Sequence, residues 1–185
     1  MNKNYKMIAK TFFGMEEVLK EEVISLGGQN VECGNRLVSF YGDKGFMYKA
    51  NLCLRTALKI LVPIYTFYAN SYDDLYNELN KYDWNKYLGT SNTFLFDSVV
   101  TGNIFRHSLY VSQKAKDALV DSFYSRENDR PNVDLEYPDI RFHIHIRENK
   151  CTLLVDSSGE SLHKRGYRVS SDIAPINEVL AAGII

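Results

Sequence analysis

At 185 residues, 45% apolar and 13% aromatic, the chain has material for one ordinary core or two small ones. Lys and Arg number 22 against 23 Asp and Glu, so at a net charge of −1 no whole-chain basic field draws it to nucleic acid, and any polyanion site must be built locally. The amino terminus has no apolar signal core, and no stretch approaches the ~20 apolar residues of a membrane span, which points to a soluble, cytoplasmic protein without membrane partners.

YKMIAKTFF (5–13) reads as a short strand. In MEEVLKEEVISLGG the residues Met15, Val18, Leu19, Val23 and Leu26 follow helical spacing, Glu16 and Glu17 suit the positive end of the dipole, and Gly27 is a stop. NVECGNRLVSFYG gives two strands turning at Cys33-Gly34-Asn35. A second helix, GFMYKANLCLRTALKI (45–60), places Phe46, Ala50, Leu54 and Ala57 on one stripe, and LVPIYTFYA (61–69) returns as a strand. The order β-α-β-β-α-β is a ferredoxin-like split unit, over residues 1–70.

A second module starts at Ser71, which with Asp74 forms a capping-box pattern before Tyr72, Leu75, Leu79 and Tyr82. Strand TFLFDSVVT (93–101) precedes a helix over SLYVSQKAKDALVDSF, with Val111, Ala115, Ala118, Leu119 and Phe123 inward and Lys114, Asp117 and Asp121 outward. SRENDRPNVDLEYP (125–138) is the longest loop. RFHIHIRENKCTLLVDSS reads as a hairpin whose first strand turns Phe142, Ile144 and Ile146 to one face and Arg141, His143, His145 and Arg147 to the other. APINEVLAAGII starts a helix at Ala174-Pro175 and ends without a stop signal, which predicts that the chain is part of something longer.

Motifs for chemistry are sparse. Cys33, Cys53 and Cys151 are odd in number and far apart, so they read as core or half-buried residues of a reducing compartment. His143 and His145 form an H-x-H pair without a third ligand at a telling spacing, and no metal site is assigned. His107 and His163 stand beside cations and lack the carboxylate that orients a general base. No dinucleotide, P-loop or nucleophile-elbow motif occurs, so no catalytic residue and no cofactor site is assigned. Arg55 is read as an arginine tying carbonyls or a carboxylate.

The densest cationic stretch is SSGESLHKRGYR (157–168), with Lys164, Arg165 and Arg168 around Gly166 and Tyr167. Arginine forks match phosphate and aromatic rings stack on unpaired bases. A solvent-facing turn and a nucleic-acid contact are both open readings of it.

NLCLRTALKIL, KAKDALVDSF, RPNVDLEYPDIRFHIHI, LLVDSSGESLHKRGYR and APINEVLAAGII, in this order, resemble the N-terminal part of bacterial THUMP-containing large-subunit ribosomal RNA guanine-N2 methyltransferases. The resemblance implies an α+β chain: a ferredoxin-like domain, a THUMP RNA-binding domain over 71–165, then a linker and helix over 166–185 leading to a methyltransferase domain. The cofactor turn and the N-P-P-Y-like loop of that catalytic domain are absent between Met1 and Ile185. Asn177 stands where related sequences often carry Lys. The implied partners are structured RNA, 23S rRNA in particular, and the chain's own catalytic domain, with S-adenosylmethionine the cofactor of the full-length parent. The implied RNA contacts are Lys164, Arg165, Arg168 and Tyr167, with Arg141, Arg147, Arg106 and Lys114 as weaker ones. Three alternatives stand beside this: the equivalent module of an adenine-specific DNA methylase, the THUMP module of a tRNA sulfur-insertion enzyme, and a basic turn that only packs against another domain.

Overall fold

A computed structural model of the chain describes residues 4–166 and 175–184. They divide into two compact units, one of residues 63–156 and one of residues up to 62 together with those from 157 onward.

In the first unit β1 (Tyr5–Lys10), α1 (Glu16–Leu26), β2 (Gln29–Gly34), β3 (Leu37–Gly42), α2 (Lys44–Cys53) and the start of β4 (Lys59–Tyr68) follow in the predicted order. β1 is central, antiparallel to β3 with Lys10 opposite Leu37 and to β4 with Lys10 opposite Lys59, and β2 lies outside β3. Met7, Ala9, Val38, Phe40 and Ile60 form the core with Leu19 and Val23 of α1 and Ala50 of α2. Gly27 ends α1 as predicted: at φ 103° it adopts the left-handed conformation that glycine takes without penalty, and the amides of Gly27 and Gly28 return to Ile24 and Val23.

Helix α2 is shorter than its apolar stripe predicts, because Leu54 turns to extended backbone (φ −68°, ψ 120°). The Glu22 carboxylate accepts from the amides of Arg55 (3.2 Å) and Thr56 (3.0 Å) and from the Thr56 hydroxyl (2.6 Å), so these amides have a partner outside the helix. Leu54 and Ala57 are buried all the same, which is why spacing alone could not mark the end. Arg55 Nε also reaches Glu22, at 3.3 Å, so this arginine does tie a carboxylate.

The second unit takes up β4 from Pro63 and adds α3 (Tyr72–Asn80), a 3-10 turn (Trp84–Lys86), β5 (Thr93–Thr101), α4 (Ser108–Glu127), β6 (Asn132–Val133), β7 (Ile140–Arg147) and β8 (Lys150–Asp156). Its strand order is β4-β8-β7-β5-β6; β7 is antiparallel to β8 and parallel to β5, and β6 is parallel to β5. Ser71 caps α3 as predicted, its hydroxyl accepting from Asp74 N (3.1 Å) while the Asp74 carboxylate accepts from Asn70 N (3.0 Å). α4 buries the five predicted residues and Ser122. It runs four residues past Phe123 into the expected loop, which also contains β6. At the centre Trp84 donates to Leu79 O (2.9 Å) and meets Phe96 and Phe142 edge to face.

Beyond β8 the chain rejoins the first unit. Ser157 N and Oγ both donate to Ile60 O (2.9 Å each), Ile60 N donates to Ser158 Oγ (2.7 Å), and Leu162 N donates to Leu58 O (2.8 Å). Residues 157–166 therefore lie with the first unit, whereas the sequence assigns them to the second module as far as 165. Their backbone and serine hydroxyls find partners at the start of β4, a return that no local pattern announces. α5 (Glu178–Ile184) buries Val179 in the same unit. No helix among the described residues is long and apolar enough to cross a membrane.

Cys151 is buried, and burial pushes its thiol up to about 12, while Cys33 and Cys53 are exposed, contrary to their reading as core or half-buried residues. Titration of the native chain with a thiol reagent should count two accessible groups, the third appearing only in denaturant, because the reactive species is the thiolate.

Candidate nucleic-acid interface

The basic turn divides between structure and solvent. Arg165 spans the end of α2: Nη1 donates to Leu52 O (2.8 Å), and Nη2 donates to Asn51 O (3.0 Å) and Leu54 O (2.7 Å). Three carbonyls without helical partners thus receive a cation at the negative end of the helix dipole. The guanidinium is engaged in its own unit, where it clamps the end of the helix. Lys164 is exposed, with its amide fixed to Ser161 O (2.9 Å). Tyr167 and Arg168 lie outside the described residues.

The weaker candidates sit in the second unit and are dispersed. Arg141 and Arg147 are six residues apart on β7, about 20 Å at the usual strand rise. Arg141 Nη1 lies 3.3 Å from Asp97 Oδ2, whereas Arg147 is exposed. Arg106 is exposed, with Nε on Asn103 O (3.4 Å), just after the end of β5. Lys114 lies over the rings of Tyr76 (5.8 Å) and Tyr110 (5.9 Å) and 3.9 Å from Asp73. Cation–π and ionic partners hold its charge in place.

On the β7 face of Arg141, His143, His145 and Arg147 the basic side chains meet carboxylates. His143 is buried, its Nε2 3.6 Å from Asp156 and 3.9 Å from Asp97, so carboxylates of the two neighbouring strands flank the imidazole. Their cross-strand positions depend on the parallel pairing of β5 and β7, which no local pattern shows. Among the described residues no group of three or more His, Cys, Asp and Glu is arranged to hold a metal.

One cationic group is invisible in the sequence. Lys10, Arg36 and Lys59 line a cavity of roughly 590 Å³ in the first unit with Phe12 and Phe13. They are too far apart in the chain to register as a cluster. Strand register alone brings them together.

Comparison with known proteins follows this division. Residues 6–61 match the RlmL ferredoxin-like domain, and residues 69–156 match the THUMP domain. The ribosomal RNA large subunit methyltransferase K/L of Desulfotalea psychrophila is 40% identical over 98% of this chain, which spans 25% of that protein's length. A Listeria monocytogenes structure described as a predicted N6-adenine-specific DNA methylase superposes with a TM-score of 0.82 at 26% identity, covering 98% of this chain and 48% of that one. SMU.472, solved in complex with SAH, gives 0.81 at 26% identity over 100% of this chain and 48% of its own.

Substitution separates a helix clamp from an exposed cation. Arg165→Ala strands three carbonyls and should cost about 1.5–3 kcal/mol in urea unfolding followed by circular dichroism. Lys164→Ala, at an exposed position, should stay within about 0.5 kcal/mol of the parent.

Proposed function

We propose that this chain, which carries the RlmL ferredoxin-like and THUMP domains, is the RNA-binding and substrate-positioning module of a THUMP-containing large-subunit ribosomal RNA methyltransferase. The observation that carries the reading is the pairing of both domains, in order, with 40% identity to a ribosomal RNA methyltransferase across 98% of the chain. A module of this kind does no chemistry itself. It holds folded RNA so that one base reaches a catalytic pocket, which replaces a poorly oriented encounter with a positioned one. S-adenosylmethionine would serve the catalytic portion of the whole protein, with a guanine N2 of 23S rRNA as acceptor and the cytoplasm as the compartment. SAH in SMU.472, the product left by that methyl donor, supports this cofactor.

The domain limits of this reading are 1–62 with 157–166 for the ferredoxin-like part and 63–156 for THUMP, following the compact units. Lys164, Arg147 and Arg106, all exposed, are the proposed phosphate contacts, with Tyr167 and Arg168 following Lys164 closely in sequence. Arg165, Arg141 and Lys114 hold the scaffold through the partners described above.

The description of the Listeria structure favours a second reading, in which the nucleic acid is DNA. Competition decides between them. A 23S rRNA transcript should displace duplex DNA of equal charge from the chain, and DNA displacing RNA would overturn the proposal. In a salt titration Lys164→Ala with Arg147→Ala should lower the slope of log affinity against log salt by up to about 0.9 for each phosphate no longer neutralised. An unchanged slope would remove these two residues from the interface.

A further inference from the structure

We propose that the second unit carries a docking groove along the outer edge of β5 for an extended apolar peptide segment with basic flanks, which joins the sheet as a further strand. The inference stands apart from the RNA-binding reading and adds a protein partner to it.

Strand pairing is the first argument. On its inner side β5 pairs with β7 without interruption from Phe94 to Thr101. On its outer side, among the described residues, β6 meets it at Thr93 and Phe94 alone, and the Phe94 carbonyl accepts from Asp134 N (3.2 Å). Alternate residues of a strand turn their backbone groups to the same side, so the amides and carbonyls of Phe96, Ser98 and Val100 face outward beyond the end of β6. Exposed edges are commonly blunted by lysine, proline or a bulge. TFLFDSVVT has no lysine and no proline, and its register with β7 has no bulge. Its single charge, Asp97, is turned to Arg141 and His143.

The groove beside that edge is the second argument. α4 forms its far wall, held to β5 where Ser98 Oγ donates to Ser108 O and accepts from Ser112 Oγ (3.0 Å). Phe94, Leu95 and Phe96 on the strand, Leu109 on α4, and Val133 and Leu135 at the end of β6 line a cleft of roughly 210 Å³. That is below the about 300–1,000 Å³ of small-molecule clefts and suits one or two apolar side chains of a longer partner. Leu109 and Leu135 are each 72% exposed. Open backbone flanked by uncovered leucines meets both needs of strand addition, in which main-chain hydrogen bonds give affinity and side-chain pockets give selectivity.

Charge is the third argument, and it selects the partner. Residues 128–139, which supply Val133 and Leu135, carry Asp129, Asp134, Glu136 and Asp139 against Arg130. The Asp134 carboxylate accepts from the amides of Tyr137 and Glu136 (2.9 Å each), and that of Asp139 from Thr93 N (2.9 Å). These bonds hold both carboxyls below the usual carboxylate range, so the rim keeps its negative charge. Lys116, on the α4 wall, is paired with Asp117 (2.7 Å). An acidic rim repels a phosphate backbone and attracts lysine and arginine.

The test uses the whole chain and a fluorescein-labelled peptide, KKVTVTVKK, read by anisotropy, beside its glutamate-flanked counterpart EEVTVTVEE and an oligouridylate competitor. The lysine-flanked peptide should bind, and the glutamate-flanked one at least about tenfold more weakly, with the difference shrinking as salt is raised. Leu109→Ala with Leu135→Ala, at exposed positions outside the core, should weaken binding by about 10- to 100-fold while the melting temperature holds. Bound peptide should slow hydrogen exchange at the amides of Phe96, Ser98 and Val100, which an apolar contact without strand addition leaves unchanged. A lysine-flanked peptide that fails to bind, that binds parent and double variant alike, or that leaves those amides unprotected overturns the groove. Oligouridylate that displaces the peptide and protects the same amides overturns it as well, because the occupant is then RNA.

Discussion

The first unit depends on how helix α2 is stopped. Two side chains of opposite charge act together there: Arg165 takes the carbonyls of Asn51, Leu52 and Leu54, and Glu22 takes the amides of Arg55 and Thr56. Both partners come from far along the chain, so the termination is tertiary rather than local. Removing one partner of such a set costs more than the bond itself is worth, since the remaining groups keep their desolvation penalty. Ending the helix at Cys53 lets the chain turn in time for Lys59 to enter β4 opposite Lys10. Residues 157–162 then bond to Leu58 and Ile60, which fixes the chain where it comes back to this unit.

The second unit is organised by aromatic packing. Trp84, Phe94, Phe96 and Phe142 meet in edge-to-face and stacked pairs beneath the inward face of α4, and Trp84 satisfies its single donor on Leu79 O. The strict alternation of β7 follows from this core. Its apolar residues Phe142, Ile144 and Ile146 are buried, and Arg141, His143, His145 and Arg147 go to the other face. Parallel pairing with β5 then sets Asp97 directly across from His143, which converts a cationic stripe into a charge-balanced one.

What can be read from the chain is set by the range of the interactions. α1 with its glycine stop, the Ser71 cap and the five inward residues of α4 are recorded in neighbouring residues, and each appears as expected. Element order marks the ferredoxin-like unit, and resemblance supplies the THUMP identity. The end of α2 is not legible, because Leu54 and Ala57 are buried whether the backbone is helical or extended. Arg165 is hidden for a related reason. A dense cationic motif looks the same in sequence whether its charges face solvent or carbonyls distant along the chain. The Lys10–Arg36–Lys59 group shows the converse, since its members are inconspicuous singly and meet only through strand pairing.

A nearly neutral chain that spends part of its positive charge on structure meets a polyanion through local contacts rather than through a whole-chain basic field. Each phosphate contact contributes through counterion release, so affinity at physiological salt rises steeply with their number. A module with only a handful is therefore a weak binder by itself. Weakness suits the proposed role, because joining the module to a catalytic domain turns the second contact with RNA into an intramolecular event at high effective concentration. Strong independent binding would hold product after methyl transfer and slow turnover. On this view the number of phosphate contacts is set by the need to release RNA as much as by the need to find it.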